Sequence, residues 1–288
     1  MSGGALARCG VIGGGLMGSG IAELCGRAGL DTIVVEVSGD AAEAASRRVH
    51  RSLERAASRG KISADDLQAT MGRIAFTTDL RRLADRDLVI EAASEREDVK
   101  LDLFATVGGM LEQDDALLAS NTSSIPIVKL GAVSGRADRV MGVHFFNPAP
   151  VMQLVELIPS LTTGDSTLAR MRSFVSDQLG KQPIEATDRA GFIVNSLLVP
   201  YLLSAIRMYE AGYASATDID KGMLLGCGHP MGPLALADLI GLDTIRAIGS
   251  SMYEEFKEPL YSPPPLLDRM VGAGLLGKKS GQGFYPYG

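Results

Sequence analysis

CGVIGGGLMGSGIAELCGRAGLDTIVVEV, residues 9–37, places the spacing Gly13-x-Gly15-x-x-Gly18 between a short apolar strand pattern and a helical pattern. In this arrangement Gly13 permits a tight turn, Gly15 lets the backbone approach a pyrophosphate, and Gly18 lets the helix pack on the strand. The start of the helix offers free N–H groups and the positive end of its dipole to phosphates. The stretch therefore predicts a dinucleotide-binding turn, which also includes Leu16 and Met17.

A carboxylate stands at the end of the next predicted strand. Glu36 ends the apolar run of TIVVEV and lies 21 residues after Gly15. At that position its oxygens can accept hydrogen bonds from the adenosine ribose hydroxyls, and its charge would repel a 2′-phosphate. The sequence therefore favours NAD over NADP. The competing interpretation is a glycine-rich turn with an exposed acid, and it is weakened because strand, glycines, helix and acid occur together.

Short β-branched runs alternate with helical patterns through the first part of the chain. The runs are ARCGVIG, TIVVEV, GRIAFTTD, DLVIEAAS, ALLASNTS and RVMGVHFF. This alternation predicts βαβ units. We therefore expect residues 1–188 to form an NAD-binding, Rossmann-like α/β domain with a doubly wound, mostly parallel sheet.

The pattern becomes helical after KQPIEATDRAG, and we place the domain boundary near residue 188. GFIVNSLLVPYLLSAIRMYEAG has apolar residues at four-residue steps: Ile193, Leu197, Tyr201 and Ala205. TDIDKGMLLGCG and GPLALADLIGLDTIRAIGSSMYEEF are also helical patterns. Residues 189–288 are therefore expected to form an all-α, substrate-binding C-terminal domain. Its helices have more apolar surface than one small domain needs to cover, which indicates a homodimer through this domain.

The composition narrows the functional classes. The 288 residues include 28 Lys and Arg against 34 Asp and Glu, and the net charge of −6 argues against nucleic-acid binding. Cys9, Cys25 and Cys227 are widely spaced, so neither a disulfide framework nor a zinc site is indicated. No run of eighteen apolar residues occurs, so no membrane insertion is predicted. We expect a cytoplasmic protein.

One segment of this acidic chain is strongly basic. SRRVHRSLERAASRGK, residues 46–61, carries six cations against the single acid Glu54, a local charge of +5. Four of its arginines step by four along the chain: Arg47, Arg51, Arg55 and Arg59. On a helix they would form one row of like charges that repel one another. A bound polyanion would relieve this repulsion, and the competing interpretation is a solvated helix face.

Residues 140–158, VMGVHFFNPAPVMQLVELI, place one of the three histidines before the turn-forming sequence Asn-Pro-Ala-Pro. With a reversal centred on Pro150, His144 would face Glu156 on a paired strand, within cross-strand reach. Such a pair supplies a base that works near neutral pH and a partner that fixes its tautomer and stabilises the imidazolium. This is what the oxidation of an alcohol needs. The alternative is a structural histidine in a strand.

Seven segments together resemble the L-3-hydroxyacyl-CoA dehydrogenases. They are GGGLMGSGIA, VIEAASE, SNTSSI, HFFNPAPVMQLVE, GFIVN, GHPMGPLALADLIGLD and GKKSGQGFY, and they occur in the expected order along the chain. The chain length is also similar to that of the single-function 3-hydroxybutyryl-CoA type. The resemblance implies NAD-dependent oxidation of a short-chain 3-hydroxyacyl-CoA, such as 3-hydroxybutyryl-CoA, to the 3-ketoacyl-CoA, and the reverse reaction.

The resemblance assigns catalytic roles to four residues. It implies that His144 is the general base and that Glu156 is the acid that orients it. Ser123, from SNTSS, and Asn195, from GFIVN, resemble residues that hydrogen-bond the oxygen of the substrate and help to place its C3 against the nicotinamide.

The resemblance also implies contacts with the cofactor and the coenzyme. Besides the glycine turn and Glu36, it implies NAD contacts for Glu95, Lys100, Asn147 and Lys279. Ser52 and Arg59 fall in the basic segment where the family meets coenzyme A. Arg59 stands where a lysine is usual, and Glu36 replaces the commoner aspartate.

Two other functions fit parts of the sequence. One is a dehydrogenase of related fold that acts on a free hydroxy acid or sugar acid, in which case the arginine row would be only surface. The other is a non-catalytic NAD-binding protein, against which the presence of His144, Glu156, Ser123 and Asn195 argues. A side-by-side assay with a CoA thioester and its free acid distinguishes the free-acid dehydrogenase from the CoA-dependent one. NADH oxidation with acetoacetyl-CoA would exclude the non-catalytic protein.

Overall fold

The computed structural model describes residues 5–288, so residues 1–4, with which the predicted first domain begins, lie outside the described part. The chain divides into two compact units, of which the first ends at Asp188 and the second spans Arg189–Gly288. The first is built on a β-sheet flanked by helices, and the second is built from helices. The predicted fold class, an α/β unit followed by an all-α unit, is confirmed.

Strands and helices alternate through the first unit. The strands are β1 (Arg8–Ile12), β2 (Asp31–Val35), β3 (Ile74–Thr77), β4 (Leu88–Glu91), β5 (Leu117–Ser120), β6 (Val140–Phe145), β7 (Leu154–Pro159) and β8 (Gln182–Glu185). The helices are α1 (Leu16–Arg27), α2 (Gly39–Ser58), α3 (Ala64–Gly72), α4 (Glu97–Met110), α5 (Ile127–Val133) and α6 (Asp165–Ser173), and α6 continues into a π-helical turn, Phe174–Gln178. The first six strands match the six runs predicted from the sequence, except that β2 begins one residue earlier, at Asp31.

The described strands form one sheet in the order β3-β2-β1-β4-β5-β6-β7-β8. The pairs among β1 to β6 are parallel, whereas β7 runs antiparallel to β6, and β8 runs parallel to β7. The chain moves outward from β1 to β3 and then returns to place β4 on the other side of β1. The topological switch point therefore lies between β1 and β4, where ligands bind outside the carboxyl ends of the strands.

The central strands are buried on both faces, which explains their nearly continuous apolar sequences. Val11, Val34, Ile90 and Leu117 belong to one core cluster with apolar residues of α1 and α2. Strand β8 was not predicted, because Pro183 interrupts its pattern. It lies at the edge of the sheet, where a missing N–H donor is tolerated.

Helices and one core make up the second unit. The helices are α7 (Val194–Glu210), α8 (Ala216–Cys227), α9 (Pro233–Ile240), α10 (Leu242–Phe256) and α11 (Pro265–Gly272). The predicted single helical segment GPLALADLIGLDTIRAIGSSMYEEF is two helices. Gly241, with a φ of +105°, separates them, because this backbone conformation cannot continue a helix.

The four-residue row predicted for α7 does not define its buried face. Leu197 exposes 74% of its surface, whereas Val199, Leu202 and Ile206 are buried. A four-residue step advances about 40° beyond a full turn, so the ends of a long row drift away from the core. The predicted helix is confirmed, and its buried face follows steps of three and four residues rather than this row.

Among the described residues, no helix combines the length and apolar character needed to cross a membrane.

Candidate active site

Close backbone contacts shape the glycine turn after β1. Gly13 has a φ of +89°, and a Cβ there would lie 2.8 Å from the carbonyl oxygen of Ala92. A Cβ on Gly18 would lie 1.7 Å from the carbonyl oxygen of Gly13, so α1 can approach the turn only without a side chain there. At Gly15, no atom of the described residues beyond its chain neighbours lies within 4 Å of an added Cβ. The backbone at the start of α1 is thus open to a ligand, as a pyrophosphate site requires.

Glu36 lies directly after β2, at the same edge of the sheet. Its Oε1 accepts a hydrogen bond from the Gly14 N–H at 2.6 Å, which holds the carboxylate beside the turn. Leu16 is exposed, and Met17 packs against the core. The residues predicted for the dinucleotide site are therefore neighbours, and their contacts with a cofactor stay predictions.

A cavity of about 390 Å³ lies beside the glycine turn, between α1, α2 and the segment 147–150. Arg48, Arg51, Ser52 and Arg55 line its α2 wall. Three guanidinium groups around a concave site create a positive potential that attracts anions. The structure thus places Ser52 among arginines, in a cavity suited to a phosphorylated ligand.

The arginines of the cavity are not the predicted four-residue row. Arg47 pairs with Glu43 at 3.2 Å, and Arg59 follows the end of α2 and is absent from the described lining of the cavity. Arg48 replaces them and also donates to the Gly14 carbonyl at 2.9 Å. Arg51 and Arg55 of the predicted row line the cavity and Arg47 and Arg59 do not, because one helix face is formed by steps of three and four together.

Glu23 is a buried member of the same cavity that the sequence did not reveal. Its side chain is 1% exposed, and neither carboxylate oxygen has a hydrogen-bond partner in the described residues. The nearest guanidinium nitrogen, of Arg27, lies 3.6 Å away. Burial raises the pKa of Glu23, while Ser52 and Arg27 oppose this shift.

The ladder between β6 and β7 pairs His144 with Glu156, which confirms the predicted register. The His144 Nδ1 lies 2.7 Å from Oε2 of Glu156, and Glu156 is fully buried. The ring of Phe146 contacts His144 edge-on, with centroids 4.7 Å apart. A carboxylate that accepts the Nδ1 hydrogen fixes the tautomer, so Nε2 becomes the ring nitrogen that can accept a proton.

Ser123 lies on the loop after β5, and Glu95 organises this loop. One oxygen of Glu95 accepts hydrogen bonds from the Ser123 N–H at 3.0 Å, from the Ser124 hydroxyl at 2.9 Å, and from the Thr122 hydroxyl. Burial acts to raise the pKa of Glu95, but Lys100 and these hydrogen bonds outweigh it and hold the pKa below its usual value.

The same loop is tied to the strand of His144. The side-chain oxygen of Asn121 accepts a hydrogen bond from the Phe145 N–H at 2.9 Å. Phe145 follows His144 directly, so this bond fixes the end of β6 relative to the loop. Ser123 and His144 are thereby held at one edge of the sheet.

Lys100 is buried among acidic side chains. It is therefore not an exposed cation at the open side of the glycine turn. Its Nζ lies 2.6 Å from Oε1 of Glu91 and 3.3 Å from Oε2 of Glu95, and the side chain is 1% exposed. Glu91 also accepts from the Ser120 hydroxyl at 2.6 Å. This burial does not fit the predicted direct contact of Lys100 with NAD. The ammonium group instead pairs with the carboxylates of Glu91 and Glu95 and orients them. Glu91 was missed, although a carboxylate that ends an apolar strand was a usable signal.

Two predicted site residues belong to the second unit. Asn195 lies in the first turn of α7 and is half-buried. Lys279 pairs with Asp243, its Nζ lying 2.6 Å from Oδ2. Their predicted contacts with substrate and NAD stay predictions.

Two buried aspartates hold the second unit together. Asp220 accepts hydrogen bonds from the N–H groups of Leu234 and Ala235 at the start of α9, at 2.7 and 2.9 Å. Asp238 accepts from two N–H groups of the C-terminal segment and from the Tyr287 hydroxyl. Burial and the charge of Asp238 raise the pKa of Tyr287 to about 12. Among the described residues, no three His, Cys, Asp or Glu side chains are grouped as metal ligands would be.

Two family profiles match nearly the whole chain. The one described as "3-hydroxyacyl-CoA dehydrogenase, NAD binding domain" matches residues 8–189. The one described as "3-hydroxyacyl-CoA dehydrogenase, C-terminal domain" matches residues 191–287.

Relatives and solved structures match over the same length. The chain is 54% identical to a 3-hydroxybutyryl-CoA dehydrogenase of Mycobacterium tuberculosis, over 98% of this chain and 99% of that protein. The crystal structure of M. tuberculosis FadB2 superposes with a TM-score of 0.98, at 54% identity, covering 99% of this chain and 100% of that one. The (S)-3-hydroxybutyryl-CoA dehydrogenase PaaH1 of Ralstonia eutropha gives a TM-score of 0.93 at 44% identity, covering 99% and 100% of the two chains.

Proposed function

The chain belongs to the 3-hydroxyacyl-CoA dehydrogenase family, and from this premise we propose that it is an NAD-dependent 3-hydroxybutyryl-CoA dehydrogenase. It oxidises the C3 hydroxyl of a short-chain 3-hydroxyacyl-CoA to the ketone and catalyses the reverse reduction. The observation that carries this proposal is the His144–Glu156 pair, which lies at the same edge of the sheet as the open glycine turn.

His144 is the general base of the proposed oxidation. Its Nε2 takes the proton of the C3 hydroxyl while Nδ1 donates to Glu156. The buried carboxylate of Glu156 stabilises the imidazolium that forms. In the reduction, the same nitrogen returns the proton to the developing alkoxide. The hydroxyl of Ser123, on the anchored loop, hydrogen-bonds the oxygen of the substrate and holds C3 in place.

The residues around the glycine turn fit NAD. The open backbone at Gly15 suits a pyrophosphate, and the carboxylate of Glu36, held beside the turn, suits ribose hydroxyls and disfavours NADP. When bound, NAD supplies the hydride acceptor, and NADH supplies the hydride donor for the reduction. Asn147, at the start of the turn after β6, and Glu95 are proposed as further contacts.

The arginine-lined cavity is proposed to take the phosphorylated end of coenzyme A. Arg48, Arg51 and Arg55 face one concave site together with Ser52. Guanidinium groups bind phosphate oxygens through paired, charge-assisted hydrogen bonds. A free hydroxy acid would leave this cavity unused, which favours the CoA thioester as substrate.

A panel of initial rates tests the proposal. NADH and NADPH are each assayed with acetoacetyl-CoA, with 3-ketoacyl-CoA thioesters of longer chain, and with free acetoacetate. We expect the highest kcat/KM for NADH with acetoacetyl-CoA. Equal rates with free acetoacetate would contradict the CoA assignment, and no NADH oxidation with any substrate would indicate a non-catalytic protein.

We also propose that the chain forms a homodimer through its second unit and works in the cytoplasm. Leu197 and Leu225 expose 74% and 76% of their surfaces, an arrangement suited to a covered face. The free thiols of the three cysteines fit a reducing compartment. Sedimentation should give twice the chain mass for the wild type and a smaller mass for Leu225→Asp. A monomeric wild type would contradict the dimer.

A further inference from the structure

Lys181 is a buried cation that neither the sequence patterns nor the proposed mechanism uses. It directly precedes β8 and is 4% exposed. Its Nζ donates to three backbone carbonyls of one segment: Ala149 at 3.0 Å, Pro150 at 3.3 Å and Met152 at 2.7 Å. All three acceptors belong to the turn that joins β6 to β7.

No carboxylate of the described residues lies within ion-pairing distance of Lys181. Burial lowers the pKa of Lys181, the charge of Arg27 lowers it further, and the charge of Glu23 opposes both. An ammonium group taken out of water without an acid partner is costly unless its hydrogen bonds are made. The three carbonyl oxygens supply those bonds, so the ammonium and the turn hold each other in place.

Helix α1 confines the same turn from another direction. A Cβ added to Gly20 would lie 3.1 Å from both the Ala149 Cβ and the Pro150 Cδ. Contacts this short are tighter than ordinary van der Waals contacts, so the turn would have to give by a few tenths of an ångström. The turn is therefore packed against the helix backbone at Gly20 and is bonded to Lys181, which leaves it little freedom.

The turn connects the two parts of the proposed site. Asn147, Pro148, Ala149 and Pro150 line the arginine cavity, and the strands on either side of the turn carry His144 and Glu156. A shift of the turn would change the shape of the cavity more than it would change the His144–Glu156 pair, because the strand ladder holds that pair independently.

We propose that Lys181 is a positioning residue that fixes the turn 147–152 as the wall of the cavity that binds the nucleotide end of coenzyme A. This inference rests on the proposed function, because it takes that cavity to be the coenzyme A site. It predicts that Lys181 matters for the recognition of the nucleotide and much less for that of the acyl group.

Two substrates distinguish recognition of the nucleotide from recognition of the acyl group. They are acetoacetyl-CoA and acetoacetyl-N-acetylcysteamine, a thioester that lacks the nucleotide. For Lys181→Met we expect the KM for acetoacetyl-CoA to rise about 10- to 100-fold, because a displaced wall misaligns the charge-assisted contacts between the cavity and the nucleotide. The KM for the truncated thioester should change less than about 2-fold, because this substrate lacks the nucleotide that would contact the wall. The matched control is Lys129→Met, which removes an exposed lysine paired with Glu97 and should leave both KM values unchanged.

A second variant keeps the test independent of the folding of Lys181→Met. Gly20→Ala leaves Lys181 intact and displaces the turn from the side of α1, and alanine is favoured over glycine within a helix. Its melting temperature shows whether the variant is folded at the assay temperature. We expect the same selective rise in the KM for acetoacetyl-CoA, smaller than in Lys181→Met.

The possible outcomes are distinct. If both KM values rise equally in Lys181→Met and in Gly20→Ala, or if neither rises, the positioning role is wrong while the proposed function stands. If the wild type reduces neither thioester, or shows no preference for the CoA form, the proposed function fails and the inference fails with it. A selective loss of the CoA preference in both variants, with Lys129→Met unaffected, supports the inference.

Discussion

Replacing Glu156 with Gln removes the negative charge beside His144 and keeps the shape of the side chain. The hydrogen bond between them measures 2.7 Å. Because Glu156 is fully buried, solvent water cannot take the place of the carboxylate. A hydrogen bond to a charged group contributes about 1.5–3 kcal/mol. At about 1.4 kcal/mol for each factor of ten in rate, turnover should fall about 12- to 140-fold.

The pH dependence of Glu156→Gln should change as well. Oxidation needs a neutral imidazole that can accept a proton, and the carboxylate of Glu156 favours the protonated ring. Without that charge, the loss of oxidation rate in Glu156→Gln should differ between acidic and alkaline pH. The reduction needs the protonated ring, which the carboxylate stabilises, so the reduction should be impaired in the same variant. Initial rates followed by NADH absorbance across the pH range measure both effects.

A neighbouring glutamate supplies the control for this experiment. Glu185 lies on β8, next to β7, and its side chain is 44% exposed and paired with Arg172. Glu185→Gln should leave both turnover and the pH profile unchanged. An unaltered rate and pH profile in Glu156→Gln would refute the reasoning that the carboxylate orients His144 and stabilises its protonated form.

Three further predictions concern the cofactor, the loop and the second unit. Glu36→Arg should weaken NAD binding and improve NADP binding, because an acceptor for ribose hydroxyls and a charge that repels a 2′-phosphate are lost; unchanged calorimetric affinities for both cofactors would remove Glu36 from this role. Because the pKa of Glu95 lies below its usual value of 4.5, its contribution to stability is present above that pH and is lost as the pH falls through the lowered pKa. The urea midpoint of Glu95→Gln should therefore depend less on pH in the acid range than that of the wild type, and parallel curves would contradict this. Asp220→Ala should lower the free energy of unfolding by about 2–4 kcal/mol, because two N–H groups of α9 and the Tyr285 hydroxyl lose their acceptor. Asp268→Ala, which breaks an exposed pair with Arg246, should cost less than about 1 kcal/mol, and equal losses in the two variants would argue against the role of Asp220.

The sequence predicted the parts of the fold that rest on local patterns. Apolar runs bounded by helical segments located β1 to β6, and the glycine spacing located the turn at the switch point. Strand β8 escaped because Pro183 breaks the pattern and only its position at the edge of the sheet makes that proline acceptable.

The site was predictable where two residues lie close in the sequence across a turn. His144 and Glu156 are separated by a short reversal, and symmetry about Pro150 gave their register. Lys181 is different, because its acceptors begin 32 residues earlier and are backbone carbonyls, which carry no sequence signature. Glu23 is similar, since only the folded cavity shows that a helical carboxylate has been buried among arginines.

The central claim is that His144 performs proton transfer in the NAD-dependent interconversion of 3-hydroxybutyryl-CoA and acetoacetyl-CoA. The most direct measurement is the turnover of His144→Gln with acetoacetyl-CoA and NADH, alongside its dissociation constant for NADH. The account predicts a loss of about 10²- to 10⁴-fold in turnover, because general acid–base catalysis contributes that much, with nearly unchanged NADH affinity. Full activity in this variant would contradict the claim.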